Sequence, residues 1–172
     1  ASAATSGSCG DNATWSYDAA TQTLTISGTG AMADYTVNYT GSGFVTTAPW
    51  RKYSGSFTAL VIEEGVTAIG SYAFYECDGF SGSLVIPNSV FDINERAFYG
   101  CDFDSLVMGQ RVSYIGDSAF SDCQEMKGRV AFNDSLSIND RSFSRCGIDD
   151  YYFRGGYPGV SAAYYNYPSF DE

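Results

Sequence analysis

Apolar residues recur along this chain in one short, repeated order. Leu60-Val61-Ile62, Leu84-Val85-Ile86, Leu106-Val107-Met108, Val130-Ala131-Phe132 and Tyr151-Tyr152-Phe153 are apolar triplets of strand type. Six residues on from the first member of a triplet come Val66, Val90, Val112 and Leu136. A second motif comes next: Ile69-Gly70-Ser71-Tyr72-Ala73-Phe74-Tyr75-Glu76-Cys77, then Ile93 to Cys101, Ile115 to Cys123 and Ile138 to Cys146. Side chains alternate faces along a strand, so the outer two members of each triplet point inward and the middle one outward. Ala73, Phe74 and their equivalents fill the opposite wall from a short helical or 3₁₀-like turn, and the cysteine comes about one turn on. Phe80, Phe103, Met126 and Ile148 close each coil.

The cysteines Cys77, Cys101, Cys123 and Cys146 lie 24, 22 and 23 residues apart. A fixed period in the twenties is the mark of a solenoid, in which each repeat closes its core only by stacking on its neighbours. Phe74, Phe98, Phe120 and Phe143 are then expected to form one buried stack, and the four cysteines a ladder in the same phase. The repeats occupy 56–155, as four copies plus a partial fifth. Before them, Ala13 to Tyr17 and Thr23 to Ser27 alternate large and small residues and predict a β-hairpin. Residues 31–48 read as irregular, with Pro49-Trp50 anchoring the chain to the first repeat. Segment 9–55 is thus an N-terminal cap over an otherwise open strand edge. Residues 1–8 read as a linker and 156–172 as a tyrosine-rich tail or cap.

The pattern L-x-I-P-x-x-V-x-x-I-x-x-x-A-F-x-x-C, complete at Leu84 to Cys101, resembles the BspA-like leucine-rich repeat family of bacterial and some protist surface proteins. Trp15, the run from Leu24 to Met32, and Ala48-Pro49-Trp50 resemble the region preceding such repeats. The resemblance implies a leucine-rich-repeat right-handed solenoid, α/β by convention, with strands lining a concave side and short helical or 3₁₀ turns on the convex one. It also implies an extracellular, often adhesive or host-interacting role, and it brings no catalytic residues. Only Pro87 keeps the family's proline, and Ser142 stands where Ala is usual.

Composition narrows the partners. The formal charge of −11, with 9 Lys and Arg, argues against nucleic acid and anionic membrane surfaces. No apolar run approaches the roughly 18 residues of a membrane span. The first residues carry no charged n-region followed by an apolar h-region, so any secretion signal or anchor would lie outside this stretch. The chain has 5 cysteines, an odd count. Parallel Cβ vectors on successive coils orient sulfurs badly for disulfides, which predicts buried, reduced thiols in the repeats. Cys9, outside the repeats, is expected to be exposed or paired elsewhere.

Catalytic readings fare poorly. The absence of His removes Ser-His-Asp and Cys-His activation, and with no C-x-x-C pair it leaves no zinc pattern. Asp102 with Asp104, or Asp149 with Asp150, offer a calcium reading, but no loop of calcium-binding spacing accompanies them and a solvated acidic surface accounts for them better. No catalytic residue, metal site or cofactor is expected.

Binding remains. The outward strand residues Val61, Val85, Val107, Ala131 and Tyr152, flanked by Ser83, Ser105 and Arg129, form a strip that either meets an extracellular protein or glycan or merely suits strand geometry. The tail tyrosines offer a second surface or a cap. Two functions are consistent with this pattern: a cell-surface interaction module, or a structural spacer in a larger surface protein with no ligand of its own.

Overall fold

The structure, a computed structural model, describes residues 5–133, 136–139 and 141–154. The tyrosine-rich tail lies outside them. The regular secondary structure is almost entirely strand, which the aliphatic and aromatic triplets favour. β1 (Ser6–Ser8), β2 (Ala13–Asp18) and β3 (Thr23–Gly28) form an antiparallel sheet, with Trp15 opposite Ile26 and Tyr17 opposite Leu24. β4 (Gly30–Ala31) comes next, then the hairpin β5 (Val37–Tyr39) and β6 (Phe44–Thr46). The repeats supply β7 (Ala59–Ile62), β8 (Val66–Ile69), β9 (Ser83–Val85), β10 (Asp92–Ile93), β11 (Ser105–Val107), β12 (Tyr114–Ile115), β13 (Arg129–Phe132), β14 (Ser137–Ile138) and β15 (Asp150–Phe153).

Successive repeats lie side by side and parallel. One sheet runs β4-β8-β10-β12-β14, bringing Ile69, Ile93, Ile115 and Ile138 into one register. The triplets form a second column in parallel pairs: β3 with β7, β9 with β11, and β13 with β15. Outer triplet members are buried, as alternation requires: Leu84 and Ile86 are fully enclosed while Val85 is exposed.

The third wall holds the Ala-Phe motif, and here the backbone departs from the helical or 3₁₀ turn expected. Tyr72, Glu76, Arg96, Ser118, Asp122, Arg141 and Arg145 take left-handed conformations with φ of 52° to 59°, and Gly100 joins them at 70°. Within each turn, alternate amides go to different partners. Ala73 and Cys77 N–H donate back to Gly70 and Phe74 carbonyls, whereas Tyr72, Phe74 and Glu76 N–H donate forward to Glu95, Ala97 and Tyr99. A helix would use every amide internally; this alternation gives half of them to the next coil. The sole 3₁₀ turn among the described residues is Arg51–Tyr53.

Aromatic rings fill the interior in two columns. Trp50, Phe74, Phe98, Phe120 and Phe143 stack with neighbouring centroids 4.9–5.3 Å apart and planes within 20°. Phe57, Phe80 and Phe103 stack beside them, continued by buried Met126 and Ile148. Edge-to-face contacts such as Phe74 on Phe80 tie the columns together, the geometry that ring quadrupoles favour. Trp50 is therefore the first rung, and its indole N–H donates to the Ala73 carbonyl at 2.9 Å.

The lead segment departs from the sequence-based expectation in three respects. It holds repeat positions despite lacking the motif: Leu24 and Ile26 pair with Leu60 and Ile62 and β4 lies beside β8, while Trp50 anchors the chain to the first repeat as expected, and does so by stacking on Phe74. Residues 31–48 are not simply irregular, because β5 and β6 pair there with Tyr39 against Phe44 at 5.3 Å. Three-residue strands are too short to show alternation in a sequence. Residues 6–8, expected as linker, form the exposed edge strand β1, held by main-chain bonds that small, polar side chains do not advertise.

Candidate interaction surfaces

The cysteine phase is interior. Cys77, Cys101 and Cys123 are buried free thiols; Cys101 and Cys123 donate to the Phe74 and Phe98 carbonyls of the preceding coil, both at 3.1 Å. Burial pushes all three thiols well above their ordinary range. Cys146 is only half-buried, at the last turn of the described repeats, and burial lifts its pKa to about 11. Cys9 is buried, contrary to expectation: its amide donates to the Ala13 carbonyl and its carbonyl accepts from Ala33, which folds it under β4. Desolvation there raises its thiol to about 11. Ser142 keeps the small-residue position closed, its hydroxyl donating to the Gly116 carbonyl at 3.1 Å in a buried site.

The strand strip sits where alternation places it. Val61, Val85 and Val107 are 44–53% exposed between buried neighbours, and Tyr152 is 46% exposed between half-buried Tyr151 and buried Phe153; Ala131 is half-buried. Ser83 is exposed, Ser105 half-buried, and Arg129 pairs with Asp150 at 2.7 Å while lying over the Tyr152 ring at 5.2 Å. The strip is thus an apolar line with Arg129 at its edge already engaged, and exposed Arg154 lies beside Val85 and Val107.

The turn wall carries a surface that sequence reasoning missed. Tyr75 and Tyr99 stack outside the core at 4.9 Å, and the corresponding residues of the next two repeats are Ser121 and Ser144. Arg96 donates to the Tyr72 hydroxyl at 2.9 Å and to Glu95 at 2.6 Å. Arg145 pairs with Asp122, and a hydrogen bond from Tyr99 to the same carboxylate, followed by burial, pushes that phenol up to about 12. The tyrosines, serines and arginines of this wall, with Ser118 and Arg141, line a groove of about 670 Å³ together with Val37 and Phe44 of the β5–β6 hairpin. The signal for it was present in the repeat phase, at the residues flanking Ala-Phe, but surface positions carry no hydrophobic period.

Among the described residues no group of His, Cys, Asp and Glu side chains is placed to hold a metal ion, and no helix is long and apolar enough to cross a membrane. Asp78, Asp102 and Glu125 do lie near one another on successive coils, and burial with their mutual repulsion raises the Asp102 carboxyl.

A leucine-rich repeat protein from Eubacterium ventriosum has a similar structure over 86% of this chain, at 21% identity and a TM-score of 0.62. This chain spans 43% of that protein's length. A leucine-rich repeat protein from Bacteroides ovatus aligns over 81% of this chain and 57% of its own, at 16% identity and a TM-score of 0.34. A leucine rich cell surface protein from Faecalibacterium prausnitzii aligns over 84% and 75%, at 15% identity and a TM-score of 0.25. No curated protein matches the chain. The model of the BspA type leucine rich repeat region matches in six copies over residues 52–167, reaching past residue 155 where the motif fades to the eye. With its repeats stacked in parallel register and most of its length matched, the chain belongs to the BspA type leucine-rich repeat family.

Proposed function

We propose that this chain is a non-catalytic interaction module of a bacterial surface protein, and that it binds a protein partner through the outward residues of the triplet strands. In this reading the repeats form a right-handed solenoid, and the β1–β3 sheet closes its N-terminal end. The carrying observation is the strip itself: Val61, Val85, Val107 and Tyr152 remain about half exposed although their inward triplet neighbours are buried, Tyr151 alone being half-buried. A continuous apolar line at the surface favours contact with another apolar surface. Branched aliphatic side chains offer glycan hydroxyls nothing to bond, so a protein suits them better. The Arg129–Asp150 pair at one end supplies the polar rim common to such interfaces.

The reading is tested on an array of purified extracellular proteins. Val85→Glu and Val107→Glu place an unpaired charge within the strip without touching the core, and each should weaken binding by about tenfold or more. Arg141→Gln, on the turn wall, should bind the same protein as the parent does. Equal binding by parent and strip variants would refute the proposed face. If the parent binds no protein at all, the repeats act as a spacer.

A further inference from the structure

The turn-wall groove has features that the strand strip lacks, and they point to a different ligand. Aromatic stacking on the outside of this wall begins at Tyr75 and stops at Tyr99. The next two coils carry serines in the same phase, and Ser121 and Ser144 are 4% and 8% exposed, so they form a floor. Beyond Tyr99 no ring continues the stack, and the groove there is lined by Tyr99, Ser121, Ser144, Arg141 and Arg145.

The charges of the groove are unequal. Arg96 is held by Glu95 and the Tyr72 hydroxyl, and Arg145 by Asp122. Arg141 is exposed and makes no ion pair or side-chain hydrogen bond among the described residues. The groove thus presents one available guanidinium beside an aromatic face, in a chain whose net charge is −11. A guanidinium recognises a carboxylate through a two-pronged hydrogen bond. An aromatic ring takes the apolar side of another ring, and the Ser121 hydroxyl, which already donates to the Arg141 carbonyl at 3.0 Å, keeps its lone pairs to accept from a ligand hydroxyl.

We infer that this groove binds an acidic sugar, a pyranose whose ring stacks on Tyr99 over Ser121 and whose carboxylate is taken by Arg141. The sugar ring occupies the place that a third stacked aromatic would fill. An acidic peptide meets the charge but leaves the phenol face and the hydroxyl floor unused. A phosphate-rich polymer needs several free cations, and two of the three arginines here are already paired. The site lies on a different wall from Val85 and is independent of the protein-binding reading.

Calorimetric titration of the purified chain with galacturonate oligomers and with a sialylated lactose tests the site. Neutral galactose oligomers and an oligoglutamate peptide serve as comparisons. The inference predicts binding to at least one acidic sugar and to neither comparison. Arg141→Gln should weaken that binding about tenfold or more, because it removes the charge-assisted bond. Ser121→Tyr should abolish binding by extending the tyrosine stack into the gap. Val85→Glu should leave sugar binding unchanged. The inference is overturned if the parent binds neither acidic sugar, if oligoglutamate binds as well as they do, or if Arg141→Gln binds like the parent. Should Ser121→Tyr fail to fold, the Arg141→Gln result still decides, because Arg141 is exposed.

Discussion

Removing the ring of Phe98 tests whether the coils hold one another together. Phe98 is fully buried, with Phe74 at 5.2 Å on one face and Phe120 at 5.3 Å on the other. Phe103 meets it edge-on at 6.3 Å. Phe98→Ala loses the transfer energy of the ring and leaves a cavity, together about 3–5 kcal/mol. That figure already contains the stacking contacts, worth about 0.5–1.5 kcal/mol for each pair. A domain with a total stability of about 5–15 kcal/mol loses about a fifth of it or more. At a urea dependence of about 1–3 kcal/mol per M, the midpoint falls by at least about 1 M. The position of the loss matters as much as its size. Both tryptophans, Trp15 and Trp50, lie before the first Ala-Phe turn, so fluorescence reports the N-terminal end while circular dichroism reports every strand. Because repeats interact through their neighbours, the two signals should coincide in the parent and separate in Phe98→Ala. An unchanged midpoint with superimposed curves would refute the stacking account.

The thiols give a chemical test: iodoacetamide should modify Cys77, Cys101 and Cys123 only when denaturant is present, and mass spectrometry of native samples should show them intact. They also predict alkaline lability. An unfolded thiol ionises near its ordinary 9.0, whereas the folded values of Cys9 and Cys146 are raised to about 11. Stability from holding these protons is therefore complete below about pH 9 and is lost as pH rises through the folded values, by about 1.4 kcal/mol per pH unit for each buried thiol. Urea midpoints should fall steeply between about pH 9 and about pH 11, and less steeply in Cys101→Ala; equal slopes in the two proteins would contradict this. Gly70→Ala would place its Cβ 1.8 Å from the Ala33 carbonyl oxygen, so it should cost about 2–4 kcal/mol by levering the segment after β4 off the first repeat. A melting temperature equal to the parent's would count against that packing.

The parts of this fold that the sequence makes legible are those built on repetition. The triplets, the Ala-Phe-cysteine phase and the corner residues Phe80 and Phe103 recur at one spacing, and each recurrence fixes a buried position. What stays hidden is set by the backbone or by a single contact. Seven left-handed residues in the turns are tyrosine, glutamate, aspartate, serine or arginine, and only the eighth, Gly100, advertises the conformation. Tyr72, Glu76, Arg96 and Asp122 tolerate a strained backbone because their amides bond to the next coil, a condition that exists only after stacking. Trp50 was legible as the anchor to the first repeat but not as a rung, since it belongs to no copy of the motif, yet its indole supplies the flat face stacked on Phe74. The strand strip was legible from alternation alone. The groove was not, since it depends on where the outer tyrosines end, at Tyr99, and on which arginine lacks a partner.

The direct test of the functional account is the affinity of Val85→Glu for the first protein partner found with the parent. Val85 faces away from the core while its neighbours Leu84 and Ile86 are enclosed, so the substitution should leave the melting temperature at the parent value. The account predicts a Kd weakened by about tenfold or more, equivalent to about 1.4 kcal/mol, in a protein that is otherwise fully folded. A Kd equal to that of the parent would contradict it.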